Sequence, residues 1–456
     1  MSPGLIWISM RAVLTNFGTT GDVYPFLALA MGLRNRGHEP ILAFSPNFRN
    51  QVERLGFTFA PVGKNRQQVQ NETNALMIRM PGSVRHLQVM FRILAGDLSE
   101  AFFDLEKCCR RADVIIAGPG QPAARMIHEL SGIPFVSVQF SHFGGIGSPV
   151  LRDLGASLIN PVRAQFGLKP LRDPLTLDAN SPQLALYAVS RHIYPQATDR
   201  PAHHHLTGYF FLDDESWGPD DELNRLIESG DPPLVISFGS MADADPDLLN
   251  DLLTEAIGVV GGRAIIQRGW QHGWGRSSAY TFPSGILTVG YVPHTSLFPR
   301  ARCIVHHGGA GTAAAVFRAG IPSVFVPHGH LFDQYYWALL ARDYGCAADP
   351  LPYSQLTADK LAAAITQVTS NSSYCQKADA LGRKIRSENG VSVAVQMIER
   401  LMGKVERKVE AGADPGMTGF PGPEGRIAKV GYKKGYQRQQ RDKKRARLLK
   451  SGSLPN

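Results

Sequence analysis

Residues 303–314, Cys-Ile-Val-His-His-Gly-Gly-Ala-Gly-Thr-Ala-Ala, hold the densest chemistry in the chain. An apolar run ends in His306 and His307, a glycine turn follows, and a small-residue helix begins. The unpaired N–H groups of a helix start, with the helix dipole behind them, attract an anion, and Thr312 adds a hydroxyl. A diphosphate fits such a site, with backbone amides and one histidine on the phosphate and the other histidine directed into the sheet. A close-packed glycine turn with no ligand is the competing reading of the same residues.

Two further stretches of the same half of the chain point the same way. Phe238-Gly239-Ser240-Met241 is another turn after a strand pattern, with Ser240 facing a phosphate. In residues 326–334, Val-Pro-His-Gly-His-Leu-Phe-Asp-Gln, the carboxylate of Asp333 accepts hydrogen bonds and the amide of Gln334 both accepts and donates, which suits vicinal hydroxyls. Phosphate donors beside hydroxyl readers imply a nucleotide-sugar. His328 and His330 could instead hold a metal, but no third ligand follows at a suitable spacing.

In the first half, Gly18-Thr-Thr-Gly21-Asp22 ends a strand pattern and opens a helix. Ligands of open α/β sheets bind beyond the carboxyl ends of strands, so Asp22 stands at the mouth of a site. It reads either as a catalytic acid or base, or as a helix N-cap. The turn is not the Gly-x-Gly-x-x-Gly loop of dinucleotide binders. His142, with Phe143 in a glycine-rich loop after a strand, is a candidate substrate contact, whereas His128 lies in a helix pattern and reads as structural.

The elements that must position these residues alternate strand and helix. Strand patterns at 12–16, 40–44, 113–117 and 134–139 and helical ones at 23–36 and 122–130 make βαβ units. Residues 63–110 differ: polar through Asn74, then helical patterns at 76–80, 83–94 and 98–108 that could wall a cleft. A second series begins after residue 230, with strands at 234–238, 263–267, 285–289, 303–306 and 323–326 and helices at 247–259, 311–319, 336–342 and 358–366. Helices at 374–388 and 391–402 close the folded part. The expected organisation is α/β, with two parallel-sheet domains in tandem. The first domain covers 1–205, of which 1–9 read as an extension that the fold does not need, and a linker covers 206–230. The second domain covers 231–388, a closing helix at 389–403 packs back toward the first, and a basic flexible tail covers 404–456.

These residues carry a resemblance. Residues 15–29 and 290–340 resemble the nucleotide-sugar-dependent glycosyltransferases of family 1, most closely the bacterial natural-product and sterol glucosyltransferase-like branch. The carriers are the Gly-x-x-Gly-Asp start and the His-His-Gly-Gly-Ala-Gly-Thr signature. The similarity runs over about residues 10–400. It implies two facing Rossmann-like domains (GT-B), an inter-domain cleft, a donor such as UDP-glucose or a dTDP-sugar on the second domain and a hydrophobic acceptor on the first. It also implies no metal or other cofactor and inversion at the anomeric carbon. By the same resemblance Asp22 is the general base, and His307, Gly309, Gly311, Thr312 and Ser240 contact the diphosphate. Tyr291 and Val292 then flank the nucleobase, and Asp333 and Gln334 hold the sugar hydroxyls. Phe91, His142 and Phe143 fall on the acceptor side, with Met77, Met80, Met90, Phe102, Phe103 and Phe140 as apolar wall or simply core.

The sequence departs from the family pattern in three places. Two extra residues separate Pro327 from Asp333 and Gln334. No acid stands in 117–120, Ala-Gly-Pro-Gly, where a partner for the base is often found, so Asp22 is expected to act alone. Asp243-Ala-Asp245 copies a metal motif of another glycosyltransferase fold but reads as helix capping.

Composition bounds the alternatives. Hydrophobic residues make up 43% and charged residues 19% of 456, enough for a sizeable core. The net charge of +9 belongs to residues 401–456, while 1–400 carry 34 basic and 34 acidic side chains. The folded body therefore gives no reason to expect nucleic acid, and the tail could contact an anionic membrane or another polyanion. Five cysteines without a Cys-x-x-Cys pair, and no long apolar run, fit a cytoplasmic enzyme acting as a monomer or homodimer. Two rivals remain at this stage: a nucleotide-sugar epimerase of the same architecture, and a non-catalytic nucleotide-sugar or polyanion binder.

Overall fold

The structure, a computed structural model, describes residues 9–65, 84–140, 149–194, 201–214, 217–239, 246–268, 280–328 and 333–410. Its first sheet contains β1 (Arg11–Thr15), β2 (Glu39–Phe44), β3 (Thr58–Pro61), β4 (Val114–Ala117), β5 (Phe135–Gln139), β6 (Leu184–Tyr187) and β7 (His204–Leu206). Their spatial order is β3-β2-β1-β4-β5-β6-β7. The second sheet contains β8 (Leu234–Ser237), β9 (Ala264–Gln267), β10 (Ile286–Val289), β11 (Cys303–His306) and β12 (Ser323–Phe325), in the order β10-β9-β8-β11-β12. Every strand pair is parallel. Parallel sheets covered on both faces need unbroken apolar strands, which is why Val-Ile-Ile-Ala of β4 and Leu-Val-Ile-Ser of β8 are buried at every position.

Both sheets reverse direction in the middle. The chain runs outward from β1 to β2 and β3, then returns to lay β4 on the other side of β1; likewise it leaves β8 for β9 and β10 and returns with β11 beside β8. Crossovers depart to opposite faces at such a point, which opens a crevice beyond the carboxyl ends of the two central strands. Asn16 to Asp22 follow β1, Gly118 to Gly120 follow β4, Gly239 follows β8 and His307 to Thr312 follow β11.

The pattern from 83 to 108 is one continuous helix, Val84–Cys109, rather than two, and residues 76–80 lie outside the described residues. Gly96 reads as a break in sequence, but a helical glycine costs only about 1 kcal/mol. Burial of Leu98, Phe102, Leu105 and Cys109 against the first sheet outweighs it. Phe102 sits 4.2 Å from Phe166, ring to ring, so it is core and not acceptor wall. Three strands, β3, β6 and β7, and the helix Pro149–Gln165 have no counterpart in the sequence reading. β3 and β7 are edge strands with no fully buried residue, so they lack the apolar run that marks the others.

The two sheets are joined by an apolar cluster that draws Tyr187, Val189 and Tyr209 from the first half and Phe317, Trp337, Leu381 and Ile385 from the second. The Arg318 guanidinium clamps Asp213 through two hydrogen bonds of 2.6 and 2.8 Å. Helix Gly390–Glu410 then recrosses to the first sheet, where Ala394, Val395 and Ile398 enter its core. Glu399, buried on that helix, accepts two 3.0 Å bonds from Arg36 and meets His38 Nε2 at 3.2 Å. Burial alone would raise the Glu399 carboxyl, but the bonds from Arg36 and His38 outweigh it and hold the group below its ordinary range. Replacing Glu399 with Ala should lower stability by about 2 kcal/mol, seen as a lower melting temperature at pH 7. A depressed carboxyl pKa gives stability above the unfolded value that is lost as pH falls through the folded one. The gap between the two proteins should therefore narrow as pH falls below the ordinary glutamate range.

Candidate active site

Asp22 is the third residue of helix Thr20–Asn35, not its N-cap; the cap is Thr19. Its Oδ2 accepts from the Thr19 backbone N–H at 2.7 Å and from Thr19 Oγ1 at 3.2 Å, the side-chain half of a capping box. No described residue bonds Oδ1. Protein surrounds the carboxyl closely even though part of it still meets solvent. That desolvation raises its pKa, and the two bonds from Thr19 pull it back. Gly18, at φ +145°, makes the turn possible: a Cβ there would lie 2.2 Å from Asp22 Oδ2.

Across the crevice, helix Ala310–Ala319 presents its own N-terminus, and a Cβ built on Gly311 would stand 3.9 Å from the Cα of Gly21. Two helix starts thus face each other, one carrying the carboxylate and one the glycine turn. His306 is fully buried in β11 with its ring 4.1 Å from Phe325, whereas His307 stands at the turn with a Cβ position of Gly239 on one side and of Gly309 on the other, 2.6 and 2.5 Å from its ring. Only glycines leave that ring its space. Burial lowers His307 to about 4 against a hydrogen bond to the Ser237 backbone, and burial with neighbouring His307 lowers His294 to about 4 and His328 to about 3. The imidazoles around the turn are neutral at physiological pH, so they offer one N–H donor and one acceptor each. His307 Nδ1 and His328 Nδ1 are buried without a hydrogen-bond partner among the described residues.

Asp333 opens helix Asp333–Asp343, with Oδ2 accepting from Trp337 Nε1 at 3.3 Å. Burial raises it to about 7, the Trp337 bond opposes that, and the charge of Asp22 across the crevice adds to it. Gln334 is buried and its Oε1 accepts from the His328 backbone N–H at 2.9 Å, which leaves its NH2 for a ligand. Val292 is core by its side chain, and its carbonyl accepts from Gln267 Nε2 at 2.5 Å, so its remaining polar group is the backbone N–H. Tyr291 is largely exposed and its ring meets Tyr24 of the opposite half edge-on at 6.4 Å, with the two hydroxyls hydrogen-bonded to each other.

The structure therefore brings Asp22, Tyr291, Val292, His307, Gly309, Gly311, Thr312, Asp333 and Gln334 to one crevice. Ser240, His142, Phe143, Met77, Met80, His330, Asp243 and Asp245 lie outside the described residues, as do the side chains of Phe91 and Met90. Phe140 packs on Phe26 at 5.4 Å and belongs to the first core. His128 bonds the Ile133 carbonyl at 2.7 Å and is structural. Among the described residues no cluster of His, Cys, Asp or Glu could hold a metal ion. Sequence reading missed Thr19, Tyr24, Gln267 and Asn16. Thr19 was detectable as the threonine three residues before an acid at a helix start; the others carry no local signal, since each is defined by a partner distant in sequence.

Comparison with known proteins bears on the family and the fold. Residues 12–143 match the model of the glycosyltransferase family 28 N-terminal domain, and residues 254–401 that of the erythromycin biosynthesis protein CIII-like C-terminal domain. Sterol 3-beta-glucosyltransferase UGT80B1 of Arabidopsis thaliana is 30% identical over 424 residues, 86% of this chain and 68% of that protein. The chain belongs to the GT-B glycosyltransferases. The glycosyltransferase is also 28% identical to the O-mycaminosyltylonolide 6-deoxyallosyltransferase of Streptomyces fradiae, over 86% of this chain and 97% of that one. The sterol 3-beta-glucosyltransferase of Komagataella phaffii is 28% identical, and the glycosyltransferase spans about a third of its length, 34%, against 86% of its own. Among solved structures, the glycotransferase of kitacinnamycin superposes with a TM-score of 0.67 at 19% identity, over 87% of this chain and all of that one. VinC, solved in complex with dTDP, does so with 0.61 at 22%, over 87% of this chain and all of that one.

The raised pKa of Asp333 has a consequence for the glycosyltransferase that stability can read. An acid whose folded pKa exceeds its unfolded one costs stability once pH rises above the unfolded value, increasingly up to the folded one. Asp333→Asn, which keeps an oxygen for Trp337, should raise the melting temperature by a few degrees at pH 8 and change it little at pH 4.

Proposed function

We propose that the enzyme transfers a hexose or deoxyhexose from a UDP- or dTDP-linked donor to a hydroxyl of a sterol-like or macrolide-like acceptor, with inversion and without a metal. The observation that carries this reading is the meeting of the Asp22 helix start with the glycine helix start at Gly311. A carboxylate on one side and an anion-binding turn on the other fit a reaction in which a proton leaves the acceptor as negative charge builds on a diphosphate.

In this reading the acceptor oxygen attacks the anomeric carbon from the face opposite the diphosphate. Asp22 Oδ1 takes the hydroxyl proton as the new C–O bond forms, and the electrons of the breaking bond go to the diphosphate oxygen. The N–H groups at Gly311 and Thr312 stabilise that charge, with His307 beside the diphosphate. Asp333 and the free NH2 of Gln334 hold sugar hydroxyls, and Tyr291 covers the base. Raising the pKa of Asp22 by burial makes it a better base for an alcohol than an ordinary aspartate. The curated relatives that act on sterols or a macrolide support the acceptor class. A reducing cytoplasmic setting belongs to the same proposal, since all five cysteines are unpaired.

Asp22→Asn should lower turnover by at least about 10²-fold while binding of UDP or dTDP, measured calorimetrically, stays within about twofold. Near-normal turnover would remove Asp22 as the base. For substrate class, UDP-, dTDP- and GDP-sugars should be tested against a sterol and a macrolide aglycone and read by product mass. A glycoside from UDP- or dTDP-sugar is expected, and epimerised donor formed without acceptor would overturn the reading.

A further inference from the structure

No acid stands in residues 117–120 after the fourth strand, and Asn16 occupies that space. At Gly118 a Cβ would fall 2.3 Å from Asn16 Oδ1, so the missing side chain makes room for Asn16. Asn16 is buried and its Nδ2 donates to the Asp22 carbonyl at 3.0 Å. The backbone of residue 22 is thereby held from β1, and its carboxyl is held from the other side by Thr19. Pro25, within the same helix, has no N–H to give the Gly21 carbonyl, so the first turn depends more than usual on these side-chain bonds.

We infer that Thr19 is the positioning residue for the base: its N–H and hydroxyl fix Oδ2 and thereby aim Oδ1 into the crevice, the task that a second acid performs elsewhere. The inference rests on the reading of Asp22 as the base. One oxygen is occupied by two donors from a single residue, and the other has no partner among the described residues, so turning the carboxyl away would break both bonds. The Thr19 hydroxyl also stabilises the ionised form, which limits how far burial raises the group. The titratable groups nearest in the chain or across the crevice are Tyr24, two residues on in the same helix, and Asp333 of helix Asp333–Asp343, whose pKa Asp22 raises.

The test uses the full chain with the donor and acceptor pair of highest turnover in the panel above, and measures turnover and donor KM from pH 5 to 9. Thr19→Val removes only the hydroxyl. Its acid limb should move to higher pH by about one unit, and its plateau turnover should fall roughly tenfold, with donor KM unchanged. Thr19→Ser should restore both. Because Thr19 also caps the helix, Thr19→Asp serves as the variant that keeps a good cap while replacing the donor with a like charge; its acid limb should move further still. Repeating the series in an Asp333→Asn background separates the titration of Asp333. An unmoved acid limb in Thr19→Val and Thr19→Asp, or a Ser variant no better than Val, overturns the positioning role. If that occurs while Asp22→Asn is inactive, the base stands and only the inference falls; if Asp22→Asn stays active, both fall.

Discussion

Parallel strands can bury both faces only if every return crossing runs along the outside, and a sheet that grows in both directions from its first strand must leave a gap where the crossings part. This constraint acts twice in the chain, at β1 and β4 and again at β8 and β11. The site exists because those two gaps face each other. Each side chain with a proposed chemical role follows the carboxyl end of a strand, and the backbone there is supplied by glycines and helix starts rather than by strand ladders. The apolar cluster around Tyr209 and Trp337, the Arg318 to Asp213 clamp and the recrossing helix with Glu399 hold the halves in register.

Electrostatics across the crevice follow from the same geometry. The second half lines the crevice with neutral imidazoles and backbone N–H groups, because burial has driven His294, His307 and His328 down to between about 3 and 4. The first half contributes a carboxylate that is lifted by burial and restrained by Thr19. Asp22 lies close enough across the crevice to add to the cost of ionising Asp333. Formal charge over residues 1–400 is balanced, so any attraction for an anion there is local; the basic excess lies in residues 401–456.

Much of this was readable from the residues alone. The buried strands β1, β4, β8 and β11 announce themselves as unbroken apolar runs, and the turn at 306–312 carries its own chemistry in its glycines and histidines, since neither depends on a distant partner. β3 and β7 did not, because an edge strand with no buried face has no pattern to show. The helix Val84–Cys109 was divided between residues 94 and 98 in sequence because local propensity cannot weigh the burial of Leu98, Phe102 and Leu105 that carries the helix through.

The sequence by itself determined the class of fold, the order of its elements and the identity of the groups offered to a ligand, because periodicity and glycine placement act over a few residues. Tertiary structure decided which atoms of those groups are free. Gln334 offers only its NH2 because His328 occupies its oxygen, Val292 offers only backbone because its side chain is core, and Asp22 presents Oδ1 because Thr19 holds Oδ2. It also brought Gly21 against Gly311, residues nearly three hundred positions apart, and set the proton affinity of Asp333 through burial and an opposing carboxylate. Such outcomes depend on the local dielectric and on partners supplied by distant strands, which no stretch of sequence contains.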